Sequence, residues 1–187
     1  MALGRAEREA LIDRYADGPS RLKAALAKVP AGALQWRPKA GEWSAHEVVV
    51  HCADSETNAT ARIRYLAAEP DPVILGYDEA AWARRFDYHN HPLEPALAVV
   101  EAVRANTVAL LRRLPEDAWQ RVGRHTESGT YSAEDWLKIY AEHLEIHSRQ
   151  IDDNVAVVRP LYLRGRTCTS HPPKFGFIVM TRPSFSS

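Results

Sequence analysis

The sequence predicts an all-α protein folded as a four-helix bundle. Four long stretches carry apolar residues at intervals of three and four, which is typical of helices that bury one face. No stretch shows the sustained apolar and polar alternation of a half-buried strand, and no segment repeats. The 187 residues are 45% apolar and 26% charged, an ordinary globular composition for one domain with a sizeable core.

Two helices are predicted in the first part of the chain. The first spans residues 7–28, and the Asp17-Gly18-Pro19 interruption makes it either one kinked helix or two short helices in series. The second begins at Ser44, because Ser44 and Glu47 form a capping box that satisfies backbone N–H groups at a helix start. It extends to about Glu69, where two prolines follow.

A long crossover separates the second helix from the third. Residues 69–95 are irregular apart from a short helix predicted over Asp78–Phe86. Antiparallel helices in a bundle are joined by far shorter loops, so this length predicts that helices two and three run parallel. The third helix spans about residues 95–114, and its predicted core stripe consists of Leu97, Val100, Val103, Val108, Leu111 and Leu114.

The fourth helix is predicted to begin after Ser132, which serves as its N-cap, and to end near Asn154. Residues 115–130 before it are expected to form a loop. Beyond the fourth helix the chain is basic and contains several prolines, without a helical period. We therefore assign residues 1–158 to the bundle domain and residues 159–187 to a C-terminal extension of unknown role.

Charge and composition argue against several classes of partner. The 24 basic and 24 acidic residues cancel, so no overall field attracts nucleic acid or a membrane surface. No apolar segment is long enough to cross a bilayer, and the N-terminus lacks the apolar stretch of a signal peptide, which predicts a cytoplasmic protein. Cys52 and Cys168 show no spacing that indicates a disulfide framework or a thiolate metal site.

Three histidines are the candidate metal ligands. His143 and His147 are four residues apart on the fourth helix, so their imidazoles lie on one face, one turn apart. Eight histidines in 187 residues also produce such a pair by chance. His51 lies in an apolar stretch of the second helix and is expected to point inward. If these two helices pack face to face, three neutral imidazoles with an open fourth position form a metal site of the catalytic type.

Polar residues share the helix face of His51. Asp54, Asn58 and Arg62 follow it at helical spacing, and this stripe is either a solvated face or a set of groups that orient the ligand or a substrate. Asp54 is the acid that we nominate as a catalytic base. Asn58 and Arg62, together with Gln150 on the fourth helix, are assigned to contacts with the metal ligands or the substrate.

Several separated motifs occur in the order and spacing of one known family. They are Trp43-Ser44, Val50-His51-Cys52-Ala53-Asp54-Ser55 with Asn58 and Arg62, Tyr77-Asp78-Glu79 with Trp82, and His143-x-x-x-His147. These motifs resemble the DinB-like metal-binding four-helix bundles and, within them, the YfiT-like branch of metal-dependent hydrolases. The resemblance covers about residues 10–155.

The resemblance implies a topology and a cofactor. It implies an up-down-down-up bundle in which His51, His143 and His147 bind one divalent ion, most often zinc or nickel, with water in the open position. It also implies a homodimer, and the better understood relatives transfer low-molecular-weight thiols to electrophiles with the thiolate held on the metal. The chain departs from the family after about residue 155, so nothing about the extension is carried over.

Three functions remain open, besides a purely structural bundle with buried histidines. The first is a metal-dependent hydrolase of a small molecule, in which the metal activates water and Asp54 serves as base. The second is a transferase that delivers a low-molecular-weight cytosolic thiol to electrophiles, which needs no separate base because the metal stabilises the thiolate. The third is a non-catalytic metal-binding or stress-response module.

Overall fold

The computed structural model describes residues 3–166 of the protein. Within that range the elements in chain order are α1 (Arg5–Leu26), α2 (Ala45–Ala68), β1 (Val73–Ile74), α3 (Glu79–Arg85), α4 (Leu93–Leu111), α5 (Glu116–Trp119), β2 (Val122–His125), β3 (Gly129–Ser132) and α6 (Ala133–Arg166). No helix among these residues combines the length and apolar character needed to cross a membrane.

The four long helices α1, α2, α4 and α6 form the predicted bundle. α1 makes its most extensive contacts with α6, and α2 with α4, while α2 also packs on α6. Two apolar clusters fill the space between them. One contains Tyr15, Ile63 and Trp136, and the other contains Val48 and Leu144. The prediction of a four-helix bundle is confirmed, whereas the parallel course of helices two and three stays a prediction.

α1 is one continuous helix, so the alternative of two short helices in series is wrong. Pro19 lies inside it, and Gly18 occupies its buried face. A Cβ atom at Gly18 would come within 2.5 Å of Nη1 of Arg104 and 3.1 Å of the Leu144 Cβ atom. The glycine is therefore required by the close approach of neighbouring helices, and it does not break the helix.

The start of α2 is the predicted capping box. Ser44 N donates to Glu47 Oε2 at 2.9 Å, and Glu47 N donates to Ser44 Oγ at 3.2 Å. The Arg37 guanidinium also donates to the Glu47 carboxylate, from Nε at 2.8 Å. Burial alone would raise the pKa of Glu47, but the hydrogen bonds from Arg37 and Ser44 lower this pKa to about 2. Ionised Glu47 thus secures the end of the helix that carries His51.

The Glu47 carboxylate is expected to make stability depend on pH in acid. Because its folded pKa of about 2 lies below the ordinary 4.5, it stabilises the protein above pH 4.5 and less as pH falls. Unfolding free energy should drop by roughly 2 kcal/mol more in the wild type than in Glu47→Gln between about pH 6 and pH 3. Urea denaturation at the two pH values measures this, with Arg37→Met expected to reduce the drop as well. An equal fall in unfolding free energy in the wild type and in Glu47→Gln would show that Glu47 is not the source of the pH dependence.

A small sheet, with strand order β1-β2-β3, occurs where only irregular chain was predicted. β1 pairs parallel with β2, and β2 pairs antiparallel with β3. These strands are two to four residues long, too short for a recognisable alternation. Beyond β1, Thr126 N donates to Ile74 O and Gly76 N donates to Thr126 Oγ1, at 2.9 and 2.8 Å. The sheet therefore anchors the crossover immediately before α3.

α6 continues past the predicted end at Asn154 as far as Arg166, so that end is wrong. Ile151, Val155 and Val158 are all buried, and their spacing continues the apolar face about one turn beyond Asn154. Pro160 lies within the helix without ending it. The predicted boundary at residue 158 therefore falls inside a continuous helix, and residues 167–187 of the proposed extension lie outside the described range.

The buried face of α4 differs in part from the predicted stripe. Val100 and Leu111 are buried as expected, but Arg104 and Thr107 lie between them on the buried face. Val103 is only partly buried. Arg104 can lie on the buried face because its side chain bonds to the Glu56 carboxylate and to the backbone oxygen of Tyr140.

Candidate metal centre

α2 and α6 bring the three predicted histidines together inside the bundle. His51 is 1% exposed, while His143 and His147 lie one turn apart on α6 and are partly buried. The ring centroids of His51 and His147 are 4.7 Å apart, as are those of His143 and His147, and those of His51 and His143 are 5.7 Å apart. One nitrogen from each ring can be chosen so that all three lie within 4.8 Å of one another. Three imidazoles thus face one point.

Burial keeps the imidazoles of His51 and His147 neutral. It lowers the pKa of His51 to about 2, with additional effects from His147 and His143. It also lowers the pKa of His147 to about 4, helped by His143 and opposed by the hydrogen bond to Gln150. A neutral imidazole has a lone pair available, which is the form that binds a metal ion.

In two of the three imidazole rings, Nδ1 is hydrogen-bonded to a neighbouring side chain. Nδ1 of His143 donates to Glu56 Oε1 at 3.0 Å, and Nδ1 of His147 donates to Gln150 Oε1 at 2.9 Å. These bonds leave Nε2 of both rings as the lone-pair atom, an arrangement common around metal-bound histidines. Nδ1 of His51 is buried and has no hydrogen-bond partner among residues 3–166. The donor set and this buried unpaired nitrogen fit a divalent ion.

A buried charge network supports His143, one of the candidate metal ligands. Glu56 is fully buried, accepts from the Tyr15 hydroxyl at 3.2 Å and pairs with Nη2 of Arg104 at 2.6 Å. The same Arg104 nitrogen donates to Tyr140 O at 2.9 Å. Burial alone would raise the pKa of Glu56, but Arg104 and the His143 hydrogen bond lower it below its ordinary value. An ionised Glu56 therefore orients His143 while linking all four long helices.

Glu56 and Arg104 were not predicted from the sequence, although a signal for them was present. Both residues occupy positions on the fully buried stripes of their helices. For α2 these positions are Cys52, Glu56, Ala59, Ile63 and Leu66, and for α4 they are Val100, Arg104, Thr107 and Leu111. A charged residue on such a stripe indicates a buried partner of opposite charge.

The remaining predicted site residues lie at different distances from the histidine cluster. Gln150 contacts His147 directly, as described above. The Asp54 carboxylate accepts a hydrogen bond from the Tyr88 hydroxyl at 2.5 Å. Asn58 donates to the backbone oxygen of Asp54 at 2.9 Å, within its own helix. Arg62 lies further along α2 and donates to the Tyr140 hydroxyl and to the backbone oxygen of Leu75.

Two residues lie against His51, one from the loop before α2 and one from the crossover after it. The Trp43 ring lies against His51, with centroids 4.8 Å apart. Glu79, at the start of α3, places Oε2 at 4.0 Å from Nε2 of His51 while its side chain is 53% exposed. Burial of its inner part raises the pKa of Glu79. The site therefore has an aromatic wall on one side and a carboxylate that reaches solvent on another.

Comparisons with known proteins agree with this architecture. The sequence profile of the DinB superfamily matches residues 14–151. A relative from Oceanobacillus iheyensis, named "Putative metal-dependent hydrolase", is 35% identical over 140 residues, which are 75% of this chain and 81% of the relative. YfiT from Bacillus subtilis, with the same description, is 26% identical over 153 residues, or 81% of this chain and 86% of YfiT.

Two solved structures share the fold. The structure of YfiT, described as a probable metal-dependent hydrolase with an unusual four-helix bundle topology, matches with a TM-score of 0.77 at 25% identity. The match covers 86% of this chain and 91% of YfiT. A mycothiol-dependent maleylpyruvate isomerase matches with a TM-score of 0.63 at 16% identity, over 77% of this chain and 60% of the isomerase. At that identity the second match shows the fold alone.

Proposed function

Because the chain belongs to the DinB superfamily, we propose that it is an enzyme in which His51, His143 and His147 hold one divalent ion for the hydrolysis of a small molecule. The observation that supports this most strongly is the convergence of the three imidazoles, whose ligand nitrogens lie within 4.8 Å of one another. The names of the relatives from Oceanobacillus iheyensis and Bacillus subtilis support the reaction class.

The surrounding residues would serve this chemistry by holding the ligands still. A divalent ion at such a site supplies Lewis-acid activation of water near neutral pH. Glu56 and Gln150 fix the rings of His143 and His147 through their Nδ1 atoms. The Trp43 ring shields His51 from solvent, which keeps the local dielectric low and strengthens electrostatic interactions there.

Hydrolysis also requires a group that accepts a proton from water. Glu79 is our candidate, because its carboxylate lies 4.0 Å from the His51 ring and is open to solvent. Asp54 is the candidate from the sequence, and its carboxylate is engaged by Tyr88. Both are retained in the proposal, since a single pair of variants distinguishes them.

Glu79→Gln is expected to lower kcat/KM for the hydrolysed substrate by about 100- to 10,000-fold, the usual contribution of a general base. Asp54→Asn is the matched variant on α2. If Glu79 is the base, Asp54→Asn is expected to lower kcat/KM much less than Glu79→Gln does. The measurement is steady-state hydrolysis of a panel of small esters and amides by Zn²⁺- and Ni²⁺-loaded protein. The reverse order of effects would assign the role to Asp54 instead.

Thiol transfer is the second proposal, because a divalent ion held by the three imidazoles would stabilise a thiolate directly, so that no separate base is needed. The same Glu79→Gln protein should then retain its activity. A parallel panel with a cytosolic thiol and simple electrophiles tests this. Activity in the thiol panel alone would replace hydrolysis, and stoichiometric metal without activity in either panel would favour a non-catalytic metal-binding module.

The finer properties of the enzyme belong to the same proposal. Zinc and nickel both suit imidazole ligands, so either fits the three-histidine set. The homodimer and the cytoplasmic location are carried over from the sequence interpretation and stay predictions. Metal analysis of untagged protein tests the identity of the metal. The molar mass of the protein in solution tests the homodimer.

A further inference from the structure

A small cavity opens beside the histidine cluster. Its volume is about 230 Å³, enough for a molecule of amino-acid size, and His143 forms part of its wall. Residues of α2, α3, the segment before α3, the β2–β3 hairpin and α6 line it. They are Ser55, Arg62, Gly76, Tyr77, Glu79, His125, Glu127, Ile139, Tyr140 and His143. A molecule in this cavity would therefore lie next to a candidate metal ligand.

Arg62 provides a fixed positive charge in the cavity wall. Nη1 donates to the Tyr140 hydroxyl at 2.9 Å, and Nη2 donates to the backbone oxygen of Leu75. These two bonds hold the guanidinium in place and use two of its five N–H groups. The other three have no protein acceptor within the described range. A planar guanidinium with free N–H groups matches the geometry of a carboxylate.

Tyr77 adds a neutral donor beside Arg62. The Arg62 guanidinium carbon lies 5.8 Å from the centre of the Tyr77 ring, so the two groups are neighbours. The Tyr77 hydroxyl is buried and makes no hydrogen bond of normal geometry among residues 3–166, although the Ser55 side chain lies close enough to lower its pKa. Burial raises the pKa of Tyr77, so the hydroxyl keeps its proton and can donate it. An unpaired buried hydroxyl costs stability unless a ligand accepts its hydrogen bond.

The acidic residues of the cavity limit the charge of its ligand. Glu79 and Glu127 line the same wall, and the Glu127 carboxyl group packs so closely over Gly76 that a Cβ atom there would collide with it. The two carboxylates repel a doubly charged phosphate more strongly than a singly charged carboxylate, so the contact with Arg62 favours the ligand of lower charge.

We propose that this cavity is a substrate subsite in which Arg62 and Tyr77 bind a carboxylate, so that the substrate is a small monocarboxylate whose reacting group lies toward His143. The subsite gives the proposed enzyme a substrate class, and in that respect it rests on the proposed function. Binding of the carboxylate itself requires neither the metal nor turnover.

The test compares two ligands that differ in charge but not in shape, N-acetylglycine and N-acetylglycinamide. Titration of the full-length, metal-free protein by calorimetry or NMR should show the carboxylate bound at least about tenfold more tightly than the amide. Arg62→Met should reduce carboxylate affinity to that of the amide. Arg64→Met is the matched control, because Arg64 lies two positions along the same helix and contacts Thr60.

Tyr77→Phe is a second variant, and it leaves the hydrogen bonds of Arg62 to the rest of the protein in place. It removes only the unpaired hydroxyl, so folding is expected to be retained while carboxylate affinity falls several-fold. Equal affinity for the two ligands would overturn the proposal, as would a carboxylate preference that survives Arg62→Met or is lost equally in Arg64→Met. Carboxylate binding that occurs only after metal loading would also overturn it. Because the titration uses metal-free protein, lack of hydrolysis in the activity panels would leave this result unaffected.

Discussion

His147→Ala is expected to abolish stoichiometric metal binding. Removing a residue that only orients a metal-bound histidine typically costs 10- to 100-fold in affinity, so loss of a ligand should lower Zn²⁺ or Ni²⁺ affinity by more than about 100-fold. His147 is one of three imidazoles whose nitrogens converge within 4.8 Å. Metal analysis of protein purified without an affinity tag, followed by calorimetric titration, measures the effect.

His91→Ala is the matched control for that experiment. The side chain of His91 is exposed in the crossover, and only its backbone oxygen is engaged, by His46. The control should bind one equivalent of metal with unchanged affinity. Unaltered metal content in His147→Ala, or an equal loss in both variants, would show that the cluster is not the metal site.

Arg104→Met is expected to destabilise the protein by about 3–5 kcal/mol, the usual cost of leaving a buried charge without its partner. The guanidinium is 1% exposed and pairs with the fully buried Glu56 carboxylate. Without Arg104, Glu56 must stay charged without its guanidinium partner or take up a proton, and Tyr140 O loses a donor. Urea unfolding at neutral pH measures the change in the free energy of unfolding.

Two further variants show whether charge is the cause. Arg112→Met, at the C-cap residue that follows α4, breaks a pair with Asp13 in which the two side chains are 52% and 68% exposed, so it should cost no more than about 1 kcal/mol. Adding Glu56→Gln to Arg104→Met removes the unpaired charge and should recover about 1–3 kcal/mol of the loss. An Arg104→Met protein as stable as Arg112→Met would contradict a buried ion pair of structural importance.

Local features of the chain were predictable because they depend on neighbouring residues. The capping box of Ser44 and Glu47 and the short helix after Asp78 follow from side chains that bond backbone groups three residues away. The i, i+4 spacing of His143 and His147 likewise places both rings on one face of α6. Each of these features is complete within a few residues, so the sequence alone contains it.

Features that join distant segments were harder to predict. The sheet pairs β1 with β2, some fifty residues later, and neither strand is long enough to show a periodic pattern. α6 continues past Asn154 where Val155 and Val158 are buried against the bundle, and beyond Pro160 the Tyr162 hydroxyl donates to the backbone oxygen of Gly32. Tertiary packing decided both, because burial stabilises segments whose local signals are weak or contradictory.

The histidine cluster likewise combines features that the sequence predicted with features that depend on tertiary packing. The sequence by itself determined that His51, His143 and His147 could share one site, because helical spacing assigns each to an inward face. Only the tertiary structure decided what surrounds them: Glu56 behind His143, and Glu79 opposite His51. The physical reason is that helical periodicity sets the direction of a side chain from its own helix axis. Its partners depend on the rotation and separation of other helices, which the packing of the whole bundle determines.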